Sequence, residues 1–298
     1  MGCFIEGKVK MSDWKIGVET PLVSVIVPTR NSASTMDTCL ASIVAQSYKN
    51  IELIVVDNNS TDETKKIARG YTNLVFNKGP ERNVQRAFAA GEARGKYVVF
   101  IDSDMELPPS LIEAALNKCE KDKFDAIILP EISVGEGFWA NCRKLEKLCY
   151  LNDSYMELAN RFIKLDVYNA VGGYDCNKDW IGAEDFDIHE RIKNSGYNIG
   201  RIDELIKHHE IVPFGKMLQK YYVYSKCVPK HIRKHPKSGL KQFWIIRPAY
   251  IRNWHLFVKD PIHGVGLAFM KSAQYFVGGL GFLVSLFQKQ EAQQCDQG

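Results

Sequence analysis

Between Val23 and Leu129 the chain repeats one unit, a short apolar β-type run followed by a helix-length stretch. No other feature constrains its fold as much. Val23 to Val27 precedes a helical stretch from Ser34 to Gln46, and Ile51 to Val56 precedes Asp62 to Arg69. A short strand Leu74 to Phe76 leads to a helix Asn83 to Arg94. Tyr97 to Ile101 leads to a helix Pro109 to Lys118, with Pro108-Pro109 expected in its first turn, and then to a strand Ala126 to Leu129. Strands separated by helices of this size predict an α/β domain with a mostly parallel central sheet and flanking helices. Such sheets bind ligands beyond the carboxyl ends of their strands. There the sequence places Pro28-Thr29-Arg30-Asn31 and Asp102-Ser103-Asp104. Two acids flanking one small residue project to the same side of a strand end. Hard oxygen ligands so placed suit a divalent cation that shares the phosphates of a diphosphate.

After Pro130 the rhythm breaks. Phe138 to Tyr150 reads as an amphipathic helix, and Gly172-Gly173-Tyr174-Asp175 as a turn. Glu184 to Asn194 reads as a helix whose first turn carries three acids, favourable against its dipole, with Gly196 closing it. Phe214 to Val228 is expected to be helical, with Pro229 stopping it.

Charge divides the chain. Between Lys207 and Lys259 stand twelve Lys/Arg and one acid, Glu210, a net +11; the remainder carries 27 Lys/Arg against 34 Asp/Glu, or −7. A basic block beside an acidic domain points to an anionic partner, membrane or nucleic acid. No RNA-recognition signature accompanies the lysines, so a membrane surface is preferred and no nucleic acid is expected. Farther on, Ser272 to Gln288 is a run of 17 residues without a charge. Crossing a bilayer takes about 20 apolar residues. A shallow or re-entrant helix therefore competes with a span, and a core-packed pair of terminal helices is the alternative. Basic residues and aromatics ahead of an apolar run suit an interfacial anchor. The eight cysteines show no metal spacing, which favours reduced thiols and a cytosolic setting. Met1 to Asp13 has no apolar leader region, so no secretory signal is expected. The expected divisions are an N-terminal extension, 1–20, a catalytic domain, 21–212, and a basic, aromatic and apolar helical region, 213–298.

Five fragments in this order, Val23 to Asn31, Val55 to Asp62, Phe100 to Asp104, Gly172 to Asp175 and Gly182 to Asp187, resemble glycosyltransferase family 2. The resemblance spans about residues 21–212. It implies a GT-A fold and a metal-dependent, inverting transfer of a sugar from a nucleotide diphosphate, a UDP-sugar first, to an acceptor hydroxyl. The acceptor class is a carbohydrate or a lipid-linked glycan in surface polysaccharide, glycan or glycolipid synthesis, and the place is the cytoplasmic face of a membrane. The oligomeric state is left open.

By the same resemblance, Pro28, Thr29, Arg30 and Asn31 line base and ribose, and Asp57 accepts the base N–H. Arg82 lies along the ribose-diphosphate. Asp102 reaches ribose or a metal-bound water, with Ser103 beside it, and Asp104 holds Mn2+ or Mg2+. Asp185 is the general base, and Glu184 holds acceptor or sugar hydroxyls. His209 is the expected third metal ligand, with His208 the fallback; Arg161 and Trp180 are expected near acceptor or sugar. Each has a plainer reading. Asp57 also suits an Asx turn, Arg82 a solvated helix start, Asp102 and Asp104 a solvated acidic loop, Glu184 to Asp187 simple capping, and Trp180 a core or lid aromatic. A nucleotidyltransferase is the competing enzyme class, although Thr29 to Ser34 is no Gly-rich triphosphate loop. A non-catalytic membrane- or RNA-binding module is the competing class outside enzymes.

Overall fold

The computed structural model describes residues 20–151, 153, 156–157, 159–176, 182–209, 213–242 and 247–295. In chain order its first elements are β1 (Val23–Thr29), α1 (Ala33–Val44), β2 (Ile51–Asp57), α2 (Thr64–Arg69), β3 (Val75–Asn77), α3 (Arg82–Glu92), β4 (Tyr97–Phe100) and β5 (Met105–Glu106). Then come α4 (Leu111–Lys121), β6 (Ala126–Ile128), β7 (Glu131–Ser133), α5 (Phe138–Tyr150), β8 (Asn160–Lys164), α6 (Leu165–Ala170), α7 (Glu184–Asn194), β9 (Ile199–Arg201) and β10 (Ile206–His208). The C-terminal part is helical: α8 (Phe214–Ser225), α9 (Val228–Lys234), α10 (Pro236–Gln242), α11 (Pro248–Arg252), α12 (Trp254–Lys259) and α13 (Pro261–Cys295).

The main sheet runs β3-β2-β1-β4-β8-β6-β9. All its pairings are parallel except those of β8, which lies antiparallel between β4 and β6. Every residue of β1 is buried, as a central strand covered on both faces requires. Its alternation sorts the core: Val23, Val25 and Val27 pack with Leu40, Leu111 and Ile112 on one side. Ile26 packs with Ile54, Phe100 and Ile188 on the other. The expected α/β sheet of GT-A type is present. Its register sets Thr29 beside Asp57, and Ile26 beside Phe100, so the ends of three strands form one edge.

Two local expectations are corrected. α4 begins at Leu111, so Pro108-Pro109 shapes the turn before it, with Leu111 N–H donating to Pro108 O at 3.1 Å. The stretch 214–228 is not one helix: α8 ends at Ser225, and Pro229 sits in the first turn of α9. A missing N–H is harmless there, so this proline opens a helix rather than stopping one.

The apolar C-terminal run lies inside α13, whose stretch Pro261–Phe287, 27 residues, is long and apolar enough to cross a membrane. One face of α13 packs on α5 and α8 through Cys142, Leu145, Met217, Leu267 and Met270. Lys271 Nζ reaches Glu146 Oε1 at 2.9 Å, with both residues buried. The opposite face exposes Ile262, Val265, Phe269, Phe276, Leu280, Leu283 and Phe287. Part of the basic segment is also tied down: Lys207 to Glu106, Lys234 to Asp187 and Arg252 to Asp153.

Candidate active site

The edge formed by β1, β2 and β4 gathers most of the expected residues. Asp57 ends β2 fully buried, and its two oxygens differ. Oδ2 accepts from Ser60 N–H at 2.8 Å, closing an Asx turn, while Oδ1 is buried with no hydrogen-bond partner among the described residues. The Asx-turn reading of this residue describes Oδ2, and Oδ1 is left as an open acceptor. An acceptor buried without a donor is costly, and a ligand N–H would remove that cost. Thr29 Oγ1, paired with Asp57 in the sheet, is likewise buried without a partner.

Asn31 adopts a left-handed φ of 49°, which Asn tolerates better than most residues. It stitches the two loops together: its N–H donates to Ser60 Oγ at 2.8 Å, and its Oδ1 accepts from Thr61 N–H at 2.9 Å. Arg30 is exposed beside it, Pro28 is buried within β1, and Ser103 Oγ donates to Ser32 Oγ at 2.9 Å.

Asp102 is surrounded by guanidinium groups. Arg86 donates to Oδ1 at 2.6 Å, and Arg161 and Arg82 approach Oδ2 at 3.4 and 3.6 Å. Burial alone would raise this carboxyl, but Arg86, Arg161 and Arg82 together hold it well below the usual range. Charge compensation of this quality is what a buried carboxylate needs. Asp102, expected at ribose or a metal-bound water, thus has both oxygens facing arginines. Arg161 arrives here because antiparallel β8 runs beside β4.

Arg86 also reaches Asp185 Oδ1 at 3.1 Å, and the Tyr174 hydroxyl donates to the same oxygen at 2.9 Å. Burial would raise Asp185, but Arg86, Arg161 and Arg82 outweigh it, and Asp102 in turn opposes them; the net direction is down. Asp185 Oδ2 carries no hydrogen bond among the described residues. Glu184 is fixed differently: Oε1 accepts from Arg82 at 2.5 Å and Oε2 from Gly182 N–H at 2.6 Å. Arg82 is accordingly no solvated helix start. Asp187, two residues on, faces away and binds His235 Nε2 and Lys234 Nζ, both at 2.8 Å.

A second sheet, β5-β10-β7, supplies the histidine. His208 pairs with Met105, and its Nε2 lies 3.2 Å from Asp104 Oδ1. His209, expected as the ligand, turns to the other side, with Nε2 3.0 Å from Glu106 Oε2. Successive side chains of an extended segment face opposite ways, so the two neighbours cannot share one role. Among the described residues no three His, Cys, Asp or Glu side chains form a ready metal cage. Asp104 and His208 nonetheless offer a carboxylate oxygen and an imidazole nitrogen at one point. That donor pair fits Mn2+ or Mg2+, whose remaining positions phosphates and water can fill. Trp180 lies outside the described residues.

Sequence reasoning missed Arg86, Glu131 and the Tyr174 hydroxyl as site members. Glu131 sits at 3.4 Å from His208 Nδ1 and 3.5 Å from Arg161. Burial would raise it, but Lys147 and His208 bring it well below the usual range. Arg86 had one available signal, its i+4 spacing from Arg82 on a helix face.

Residues 24–176 match the profile described as Glycosyl transferase family 2. Glycosyltransferase AglE of Haloferax volcanii is 27% identical over 224 residues, covering 69% of this chain and 72% of AglE. The GalNAc(5)-diNAcBac-PP-undecaprenol beta-1,3-glucosyltransferase of Campylobacter jejuni is 31% identical over 111 residues, 34% of this chain and 35% of that one. The shared stretch is thus only part of several curated relatives, such as the 33% of YibD of Escherichia coli. Among solved structures, mannosyltransferase PcManGT from Pyrobaculum calidifontis, in complex with GDP-Man and Mn2+, is similar at a TM-score of 0.63 and 17% identity, over 89% of this chain and 88% of that one. S. aureus TarS in complex with UDP-GlcNAc gives 0.51 and 17% over 90% and 92%. At such identities these two likenesses establish the fold.

Proposed function

We propose, for a chain that belongs to glycosyltransferase family 2 and is a glycosyltransferase, that it moves a sugar from a UDP-sugar to the hydroxyl of a lipid-linked or other glycan acceptor, with inversion and with Mn2+ or Mg2+. The observation that carries this reading is the meeting of Asp104 and His208 at 3.2 Å, on the same sheet edge as Asp57 Oδ1, which has no partner among the described residues. Asp57 Oδ1 would accept the N–H of the base. Asp104 and His208 would hold the cation, which when bound neutralises diphosphate charge. Arg82 supports the same end of the donor from α3, held in place by Glu184.

Asp185 would take the acceptor proton. Arg86 and Tyr174 fix Oδ1 and leave Oδ2 as the accepting atom. The acceptor oxygen bonds to the anomeric carbon, the bond from that carbon to the diphosphate oxygen breaks, and its electron pair leaves with the diphosphate. A lowered carboxyl is a weak base but is ionised at neutral pH, which suits a proton that moves only as the bond forms. The catalytic unit proposed is 21–212 and the membrane-associating unit 213–298. The printed ligands of PcManGT and TarS, GDP-Man and UDP-GlcNAc, span both candidate bases. The printed name of the C. jejuni relative includes PP-undecaprenol.

A cytoplasmic membrane face is the proposed location. Supporting it are the exposed apolar stripe of α13 and six free cysteines among the described residues. The test is a screen of UDP- and GDP-sugars for Mn2+-dependent hydrolysis by the purified protein. Hydrolysis lost in Asp104→Ala supports the reading. Failure to bind any nucleoside diphosphate in the presence of Mn2+ would sink it.

A further inference from the structure

Behind the catalytic helix lies a chamber of about 1170 Å³, opening between α5, α8, α9 and α13. Rings and two thioethers form much of its wall, among them Phe138, Trp139, Phe186, Met217, Tyr221 and Tyr224. This volume exceeds that of most small-molecule pockets, about 300–1,000 Å³. It adjoins the proposed active site through α7. Phe186 lines the chamber and is the next residue after Asp185, so a single turn of α7 carries the proposed base and the chamber wall. Gly182, whose N–H holds Glu184, lines it too, with the Tyr224 ring packed where a Cβ would otherwise be, 2.5 Å away.

Five cations and two acids, Glu136 and Glu146, line the wall, and Lys147 among the cations is paired with Glu131. Arg143 and Lys271 are both paired with Glu146. Lys220 is exposed, and its ammonium lies 5.5 Å from the Tyr224 ring centroid. Arg247 is buried, with Nη1 donating to Gln242 O and with Nε lacking any partner among the described residues. An apolar chamber whose Lys220 and Arg247 face no acid among the described residues has the chemistry of an apolar chain ending in an anion. The same helix that closes the chamber, α13, bears the exposed apolar stripe on its far side. A lipid could thus pass from a membrane surface round α13 without leaving apolar contact.

The geometry points to this chamber as the seat of the lipid tail of a phosphate- or diphosphate-linked lipid acceptor, with Lys220 and Arg247 meeting the anionic head and the sugar end directed to Asp185 past Phe186. This rests on the transferase reading above and adds to it the acceptor class and its place. Gly278 and Ala140 give a way to fill the chamber. Both line it on helices, and a Cβ on Gly278 meets only Ser225 Cβ at an ordinary 3.7 Å.

The test is equilibrium dialysis of the full-length protein with radiolabelled farnesyl diphosphate, with UDP binding in the presence of Mn2+ measured in parallel. Binding should be saturable. Gly278→Leu and Ala140→Phe should each weaken it about tenfold or more by occupying the space of the chain, at unchanged thermal unfolding midpoints. Lys220→Gln should weaken farnesyl diphosphate but not farnesol. Leu283→Ser, on the outer stripe, should leave the affinity unchanged. Pyrophosphate binding as tightly as farnesyl diphosphate would overturn the inference, as would filled variants that bind like wild type, or loss of binding in Leu283→Ser. A protein that binds UDP but not farnesyl diphosphate refutes the chamber alone. One that binds farnesyl diphosphate but not UDP refutes the transferase reading and leaves the chamber standing.

Discussion

Arg86 reaches Asp185 at 3.1 Å from a side chain with no exposed surface, and the two residues are 99 positions apart in the chain. The same guanidinium holds Asp102 at 2.6 Å. One cation therefore fixes the strand-end acid and the proposed base together. It also explains why neither acid needs solvent to stay ionised.

Removing that cation should be severe. Arg86→Met leaves two buried carboxylates short of compensation, and loss of one partner from a buried pair costs about 3–5 kcal/mol. The urea midpoint should fall accordingly. Arg86→Lys, a single-point donor that cannot fork to both acids, should keep more of the stability and lose most of the activity. Equal stability and activity in wild type and Arg86→Lys would contradict the bridging role.

The histidine assignment separates cleanly. Asp104→Ala should abolish Mn2+-dependent hydrolysis, and His208→Ala should raise the Mn2+ concentration needed for half-maximal rate by about tenfold, in line with loss of one metal-supporting group. His209→Ala, which removes only the contact to Glu106, should leave that concentration unchanged. A Mn2+ titration of the three variants decides it. Reversal of the two histidine phenotypes would restore the sequence-based expectation.

Stability should fall on mild acidification because of His189. Burial is the largest influence on this imidazole, with Glu190 pulling it up and Lys193 down, and it stands at about 4. The unfolded value is about 6.5. The folded chain therefore takes up its proton later than the unfolded chain. The contribution is complete above pH 6.5, shrinks as the pH falls and is gone by about pH 4, a loss of about 3 kcal/mol. Asp102, Asp185 and Glu131, all lowered, add their own loss only below the ordinary carboxylate range. Urea midpoints at pH 7 and 5 should differ in wild type and less in His189→Gln, where His231, also lowered by burial, still contributes.

The outer and inner faces of α13 should respond differently. Phe276→Ser, Leu283→Ser and Phe287→Ser combined should release the protein from anionic vesicles in a flotation assay with little change in unfolding temperature. Lys271→Ala should do the opposite, lowering stability by leaving the buried Glu146 with Arg143 as its one remaining cation. Truncating 262–298 would mix the two effects, since Leu267 and Met270 are part of a core.

What could be read from the sequence follows the range of the interactions. The strands and the acids at their ends were legible, because Asp57, Asp102 and Asp104 follow apolar runs whose period is local. The start of α7 was legible for the same reason, through its three first-turn acids. The choice between His208 and His209 was not. It depends on β10 pairing with β5 across about a hundred residues, and a one-residue slip in such a pairing exchanges the faces. Arg86 showed only its i+4 spacing from Arg82: a charged residue mid-helix looks solvated until antiparallel β8 and helix α7 close over it. The two prolines misread, Pro109 and Pro229, mark helix starts whose positions depend on where the preceding turn ends.

The basic segment carries less free charge than its composition implies. Lys207, Lys234 and Arg252 already face acids of the same chain, and Arg247 is buried. Adhesion to a membrane would then depend mainly on the rings and branched chains of α13. At physiological ionic strength, where free charges are screened over about 8 Å, such adhesion is indifferent to added salt. A high-salt wash would leave the enzyme in place, and mild detergent would lift it off.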